Sequence, residues 1–182
     1  MGKKIVVLNG SPRPNGNTAA LVKAFTDGAE KSGNTVTTFF LDGMNIKGCK
    51  GCMGGGKNPD KPCLQSDDMD KIYPVYKEAD IVVIASPLYY WNLSGQLRTA
   101  FDRLFAVMES SPNFRNPVKD CILLMTAGGN GFDETLHYYN GLLKYIGWNS
   151  LGTVLAGGVR GIGDIEGKPV LEEAYQLGAS IT

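Results

Sequence analysis

The sequence predicts an α/β three-layer sandwich: a parallel sheet of five strands in the order 2-1-3-4-5, covered by helices on both faces. Three observations predict it. Short apolar runs alternate strictly with stretches of helical period along the 182 residues, the signature of consecutive βαβ units. The strand-like runs are continuously apolar, as expected of strands buried on both faces. No repeat or linker-like segment interrupts the alternation, so residues 1–182 are expected to form one domain.

Ile5–Asn9 is short, apolar and β-branched, and reads as the first strand. Leu21, Val22, Phe25 and Ala29 then recur at helical spacing, and Gly33 is placed to end that helix. Thr35–Leu41 is the second strand. Residues 44–66 are irregular, with Gly48, Gly51, Gly54–Gly56, Pro59 and Pro62 interleaved with Cys49, Cys52 and Cys63. A loop of that length inside a compact domain is often functional. Asp67–Lys77 reads as a helix with Met69, Ile72 and Tyr76 on one face; Pro74 must kink it or fall in its first turn. Asp67 and Asp68 at its start read as cap and dipole partners rather than paired catalytic acids. Ile81–Ala85 is the third strand. Leu97, Phe101, Leu104, Phe105 and Met108 mark one continuous helix. Cys121–Thr126 is the fourth strand, Leu136, Tyr139, Leu143 and Ile146 mark another helix, Asn149–Ala156 is the fifth strand, and Val170–Gly178 is a last helix after Pro169. Five strands so connected suit the flavodoxin-like arrangement, in which ligands bind beyond the carboxyl ends of the strands at the switch point beside strands 1 and 3.

Composition narrows the function classes. The 18 Lys and Arg balance the 18 Asp and Glu, so no electrostatic drive toward nucleic acid is visible. No apolar run approaches the ~20 residues of a membrane span. The apolar stretch Ile5–Leu8 is too short for a secretory signal, and Gly2 lacks the downstream hydroxyl residue of a myristoylation pattern. A cytoplasmic protein with reduced thiols is expected.

Three strand ends should meet at one crevice. The first loop, Asn9–Thr18 (NGSPRPNGNT), offers Ser11, Asn17 and Thr18 as neutral donors at a helix start and Arg13 as a charged fork. It matches neither a Walker A loop nor the Rossmann fingerprint, because the glycine spacing and the lysine are wrong. On its own it reads either as a phosphate cradle or as an ordinary capped loop. The second, Ser86–Gly95 (SPLYYWNLSG), places Pro87, Leu88, Tyr89, Tyr90 and Trp91 just past a buried strand, where a flat aromatic ligand or a hydrophobic oligomer contact would use them. Asn92 can both donate and accept, as a pyrimidine edge requires. The third, Ala127-Gly128-Gly129, lets backbone approach a planar ligand or simply makes a turn. Together the three specify a ligand with a phosphate end and a flat, hydrogen-bonding end, which suits a mononucleotide flavin.

At this point the ordered segments GSPRPNGNT, GCKGC…CLQSDDM, ADIVVIASPLYYWNLSGQLRTAFDR and GGVRGIGDIEGKPVLEEAYQLG resemble the NADPH-dependent FMN reductase and iron–sulfur flavoprotein superfamily over nearly the whole chain. The resemblance implies a flavodoxin-like fold, non-covalent FMN, NAD(P)H as co-substrate and a homodimer or homotetramer with flavin sites at subunit contacts. It maps the family's phosphate loop onto Ser11, Arg13, Asn17 and Thr18. Its isoalloxazine loop falls on Pro87, Leu88, Tyr89 and Tyr90 with Asn92 nearby, and its glycine loop on Ala127, Gly128 and Gly129. The activity implied is FMN-dependent oxidation of NAD(P)H, with electrons passed to a small acceptor such as a quinone or free flavin. A flavodoxin-like or iron–sulfur electron carrier is the alternative.

Iron–sulfur members resemble C-x-x-C-x-x-C followed by a fourth cysteine. Here Cys49, Cys52 and Cys63 fit, but Gly55 stands at the third place, and Cys121 lies in a buried strand far along the chain. A four-thiolate cluster is therefore not expected; a tetrahedral zinc site lacks the same ligand. A redox C-x-x-C pair and plain reduced thiols remain as readings of the loop. No catalytic side chain is expected, because the hydride chemistry belongs to the flavin. His137, the single histidine, reads as structural.

Overall fold

The computed structural model describes residues 2–182. Its five strands are β1 (Lys4–Asn9), β2 (Thr35–Phe40), β3 (Ile81–Pro87), β4 (Asp120–Thr126) and β5 (Asn149–Ala156). They form one sheet in the order β2-β1-β3-β4-β5, and every pairing is parallel. The flavodoxin-like class expected from the alternation is the observed one.

The helices are α1 (Asn17–Lys31), α2 (Met69–Glu78), α3 (Gly95–Arg103), α4 (Phe105–Glu109), α5 (Asp133–Ile146) and α6 (Pro169–Ala179). Alternate strand residues feed two cores. Ile5, Val7 and Val83 face α1 and α6, whereas Val6, Leu8, Val82 and Leu123 face the layer of α2 to α5. Side chains of opposite strand parity therefore sort to opposite faces, which explains why β1, β3 and β4 must be apolar at every step. Leu21, Val22, Phe25 and Ala29 are buried along α1; fully burying each large one stabilises the fold by about 1.5–3 kcal/mol. The crossing of α1 and α6 is unusually close. A Cβ at Gly28 would lie 2.1 Å from the Tyr175 carbonyl oxygen, and one at Gly178 would lie 2.1 Å from that of Phe25. Only glycine fits at either contact.

Four expectations are corrected. The second strand stops at Phe40, and Leu41–Gly43 closes a 3-10 turn. Of the two places expected for Pro74, the first turn is ruled out: it is the sixth residue of α2. It is exposed, as is Asp70 one turn earlier, so the carbonyl that loses its N–H partner can be hydrated. The helix expected through Met108 is broken at Leu104 into α3 and α4. There the backbone tightens: Leu104 N–H donates to Phe101 O at 3.0 Å and Val107 N–H to Leu104 O at 2.9 Å, both i→i+3 contacts. Finally, Asp67 is more than a helix cap. Its Oδ1 accepts from Met69 N–H at 3.1 Å, but its carboxylate also forms a buried ion pair with Arg103, Nη1 to Oδ2 at 2.6 Å. Residues 44–66 carry no helix or strand, as expected.

Candidate functional site at the carboxyl ends of the strands

The loops leaving β1, β3 and β4 do meet, and a fourth loop, after β5, joins them. A cavity of about 170 Å³ lies between them. From the β1 loop its wall includes Ser11, Arg13, Asn17 and Thr18; from the β3 loop, Pro87, Leu88 and Tyr89; from the β4 loop, Ala127 and Gly128; from the β5 loop, Arg160. The two arginines give it a positive end, and no carboxylate is in its wall.

The β1 loop is built by its own polar side chains. Asn9 Oδ1 accepts from Ser11 N–H at 3.0 Å, and Ser11 Oγ accepts from Arg13 N–H at 3.1 Å. These bonds turn the chain so that α1 begins at Asn17 with its axis aimed at the cavity wall. No side chain caps α1, and no acidic residue lies in its first turn. Its N-terminal amides and dipole are therefore available to an anion. Thr18 Oγ1 lies 2.7 Å from Thr126 Oγ1, which ties the helix start to the end of β4. Asn17 donates Nδ2–H to Gly161 O at 2.7 Å. Its Oδ1, on a residue only 8 % exposed, has no partner. A buried acceptor left unpaired costs free energy that a donor on a ligand would return.

Arg160 was not foreseen. Three backbone bonds fix it: Ala127 N–H to Ala156 O, Val159 N–H to Ala127 O and Gly158 N–H to Gly129 O lock the β4 and β5 loops together. Asp164 then folds the loop, its Oδ2 accepting from Arg160 N–H at 2.9 Å and Gly161 N–H at 2.7 Å. Those two amides hold the Asp164 carboxyl below the usual carboxylate range. Arg13 Nη1 donates to the Arg160 carbonyl at 3.0 Å, so the two cationic loops are coupled. The signal that could have found Arg160 was the strand-end rule itself, applied to the glycine-rich segment after β5 as well as to the other three.

Three expected residues stand outside the cavity wall. Tyr90 is 96 % exposed. It and Trp91 both have positive φ, 47° and 56°, and Tyr89 and Asn92 exchange backbone hydrogen bonds at 3.0 Å across them. This is the pattern of a type I′ turn, and it leaves the Tyr90 ring almost wholly in solvent, outside the cavity. Asn92 Oδ1 accepts from Leu93 N–H at 2.8 Å, so that end of its amide is engaged locally. Gly129 turns its carbonyl to Gly158. His137 is exposed on α5.

The donor set fits a phosphorylated flavin. A dianion is matched by Arg13, Arg160 and the α1 terminus, a hydroxyl donor by Asn17 Oδ1, and a planar ring by the apolar Pro87 and Leu88 of the same wall. The enclosed volume is below the ~300–1,000 Å³ of pockets that swallow a whole ligand. The cavity therefore suits one end of such a ligand, with the rest of it outside.

Comparison with known proteins agrees with this chemistry. The family model described as NADPH-dependent FMN reductase matches residues 3–159. An iron–sulfur flavoprotein of Archaeoglobus fulgidus is 33 % identical over 178 residues, covering 98 % of this chain and 78 % of that protein. Among solved structures, an NAD(P)H:quinone oxidoreductase from Methanothermobacter marburgensis superposes with a TM-score of 0.73 at 15 % identity, over 100 % of both chains. An azoreductase from Bacillus anthracis superposes with a TM-score of 0.70 at 22 % identity, over 98 % of this chain and 99 % of that one. These two likenesses establish the fold.

Proposed function

The chain belongs to the NADPH-dependent FMN reductase family, and from that premise we propose that it oxidises NAD(P)H and delivers the electrons to a small aromatic acceptor, a quinone first among them. It is an NAD(P)H-dependent FMN oxidoreductase; the acceptor and the residues that hold the flavin are our reading. The observation that carries the reading is the cavity whose wall joins two arginines and an uncapped helix start to the apolar Pro87 and Leu88.

In this reading Arg13, Arg160 and the first turn of α1 hold the phosphate. Ser11 keeps the loop folded, Thr18 anchors the helix to β4, and Asn17 Oδ1 takes a ribityl hydroxyl. Pro87, Leu88 and Tyr89 exclude water from one side of the ring, and Ala127 and Gly128 present backbone to it. When bound, FMN supplies the hydride and electron chemistry. The chain's contribution is orientation and a fixed electrostatic field, needing no proton-transferring side chain.

Two features support a quinone-sized acceptor. Tyr89 in the cavity wall is 43 % exposed and offers a ring on which a flat molecule can stack, and the Methanothermobacter neighbour is named as a quinone oxidoreductase. Exposed aromatic residues also support a homo-oligomer. All four cysteines are free, which supports a reducing compartment such as the cytoplasm. Among the described residues no helix is long and apolar enough to cross a membrane. The test is steady-state oxidation of NADPH and NADH with a benzoquinone, free FMN and an azo dye compared under anaerobic conditions. Turnover with the quinone well above the others is expected; turnover with none of the three would remove the acceptor assignment.

A further inference from the structure

The iron–sulfur flavoprotein among the relatives implies a cluster, and a cluster of that kind takes four thiolates. Three of the four cysteines needed are present and close in space. Cys49, Cys52 and Cys63 line one small cavity, together with Arg103 and Glu109. The residues nevertheless do not fit a cluster, for two reasons that can be read atom by atom.

The first concerns the third ligand. Gly55 stands in its place, and a Cβ built there would lie 2.1 Å from Glu109 Oε2 and 3.1 Å from the Pro62 carbonyl oxygen. The space that a third cysteine side chain would enter is thus held by a carboxylate from α4. The second concerns the cation. The loop already has one. The Arg103 side chain is 1 % exposed and that of Asp67 is 0 % exposed. Arg103 Nη1 donates to Asp67 Oδ2 at 2.6 Å and to Lys47 O at 2.7 Å, while Nη2 donates to Asp67 Oδ1 at 3.2 Å and to Cys63 Sγ at 3.4 Å. One guanidinium therefore gathers the start of the loop, its buried cysteine and the carboxylate two residues before α2. Among the described residues, no group of three Cys, His, Asp or Glu converges closely enough to hold a metal ion.

We infer that this chain is a flavin-only relative of the iron–sulfur flavoproteins, in which Arg103 ties the cysteine loop together in the cluster's stead and Glu109 occupies the missing ligand's place. The roles are separable. Glu109 fills the space of the missing ligand, and Arg103 is a positioning residue for the loop.

The test uses the full chain, loaded with FMN and reconstituted anaerobically with ferrous iron and sulfide. Wild type should retain far less than one iron per chain after desalting. Gly55→Cys combined with Glu109→Ala should gain iron and acid-labile sulfide in equal amounts, near four per chain, with the electron paramagnetic resonance of a reduced cluster. Stoichiometric iron and sulfide in wild type would overturn the inference. So would a double variant that holds FMN normally yet takes up no more iron than wild type. For Arg103 the readout is tryptic cleavage at Lys47, Lys50 and Lys57. A chelator should leave the wild-type rate unchanged. Arg103→Met paired with Asp67→Leu removes both charges and strands neither; it should speed cleavage at least tenfold while FMN stays bound. Unchanged cleavage in that variant, or faster cleavage of wild type in chelator, would contradict the role given to Arg103.

Discussion

Removing the Arg13 guanidinium tests the phosphate end of the cavity. In the structure Arg13 Nη1 donates to the Arg160 carbonyl at 3.0 Å, and both side chains line the same wall. Arg13→Ala therefore removes one cation aimed at the phosphate and releases the loop that carries the other. A hydrogen bond between charged partners contributes about 1.5–3 kcal/mol, and about 1.4 kcal/mol is tenfold in Kd. FMN affinity should fall roughly 10- to 150-fold. Arg160→Ala should fall in the same range, and the double variant should lose less than the sum, because each residue helps to place the other. The assay is titration of apoprotein with FMN followed by flavin fluorescence, run beside riboflavin, which has the same ring and ribityl chain without the phosphate. Riboflavin affinity should hardly change. If both affinities fall together, the arginines shape the loop without gripping phosphate, and the reasoning is refuted.

Two other perturbations bear on the frame around the site. Asp67→Asn leaves the Arg103 charge buried without its partner and should cost about 3–5 kcal/mol in urea denaturation. Burial alone would raise the Asp67 pKa, but the bonds from Arg103, Lys47 N–H and Met69 N–H outweigh it and lower the pKa. Its contribution is thus fully present above the unfolded pKa and lost as pH falls through the lower folded one. The variant should therefore show a flatter acid limb than wild type; an equally steep limb would assign the acid sensitivity elsewhere. The Tyr90–Trp91 turn holds two non-glycine residues at positive φ, each costing about 1–2 kcal/mol. Replacing them with Asn-Gly, the pair that type I′ turns prefer, should raise stability by about 1 kcal/mol, a net figure after the added freedom of glycine in the unfolded chain. A drop in Tm would show that the turn is not strained.

The fold was legible because its signals are local and redundant. Continuous apolar runs at Ile5–Leu8, Ile81–Ala85 and Cys121–Thr126 can only be strands covered twice, and that determines the layers. What was hidden depends on contacts between distant segments. Arg103 reads as a solvent-facing residue of an amphipathic helix; only the return of Lys47, Cys63 and Asp67 to its side makes it a buried hub. The break at Leu104 follows directly after it. Arg160 lies one residue beyond the stretch matched by the family model, in a loop whose position comes from backbone bonds to Ala127 and Gly129. Tyr90 illustrates the converse limit. Spacing places it beside Pro87 and Leu88, but two successive positive φ angles turn it outward, and side-chain type alone does not reveal a turn made without glycine.

The central claim is that this cavity holds FMN in a form that NAD(P)H can reduce. Its most direct measurement is an anaerobic absorbance titration of the FMN-loaded protein with NADPH, then with NADH. The account predicts that the oxidised-flavin bands bleach in proportion to added nucleotide, complete at about one equivalent per flavin, and return when a quinone is added. A flavin that dithionite bleaches but neither nucleotide does would contradict it and would make the protein an electron carrier.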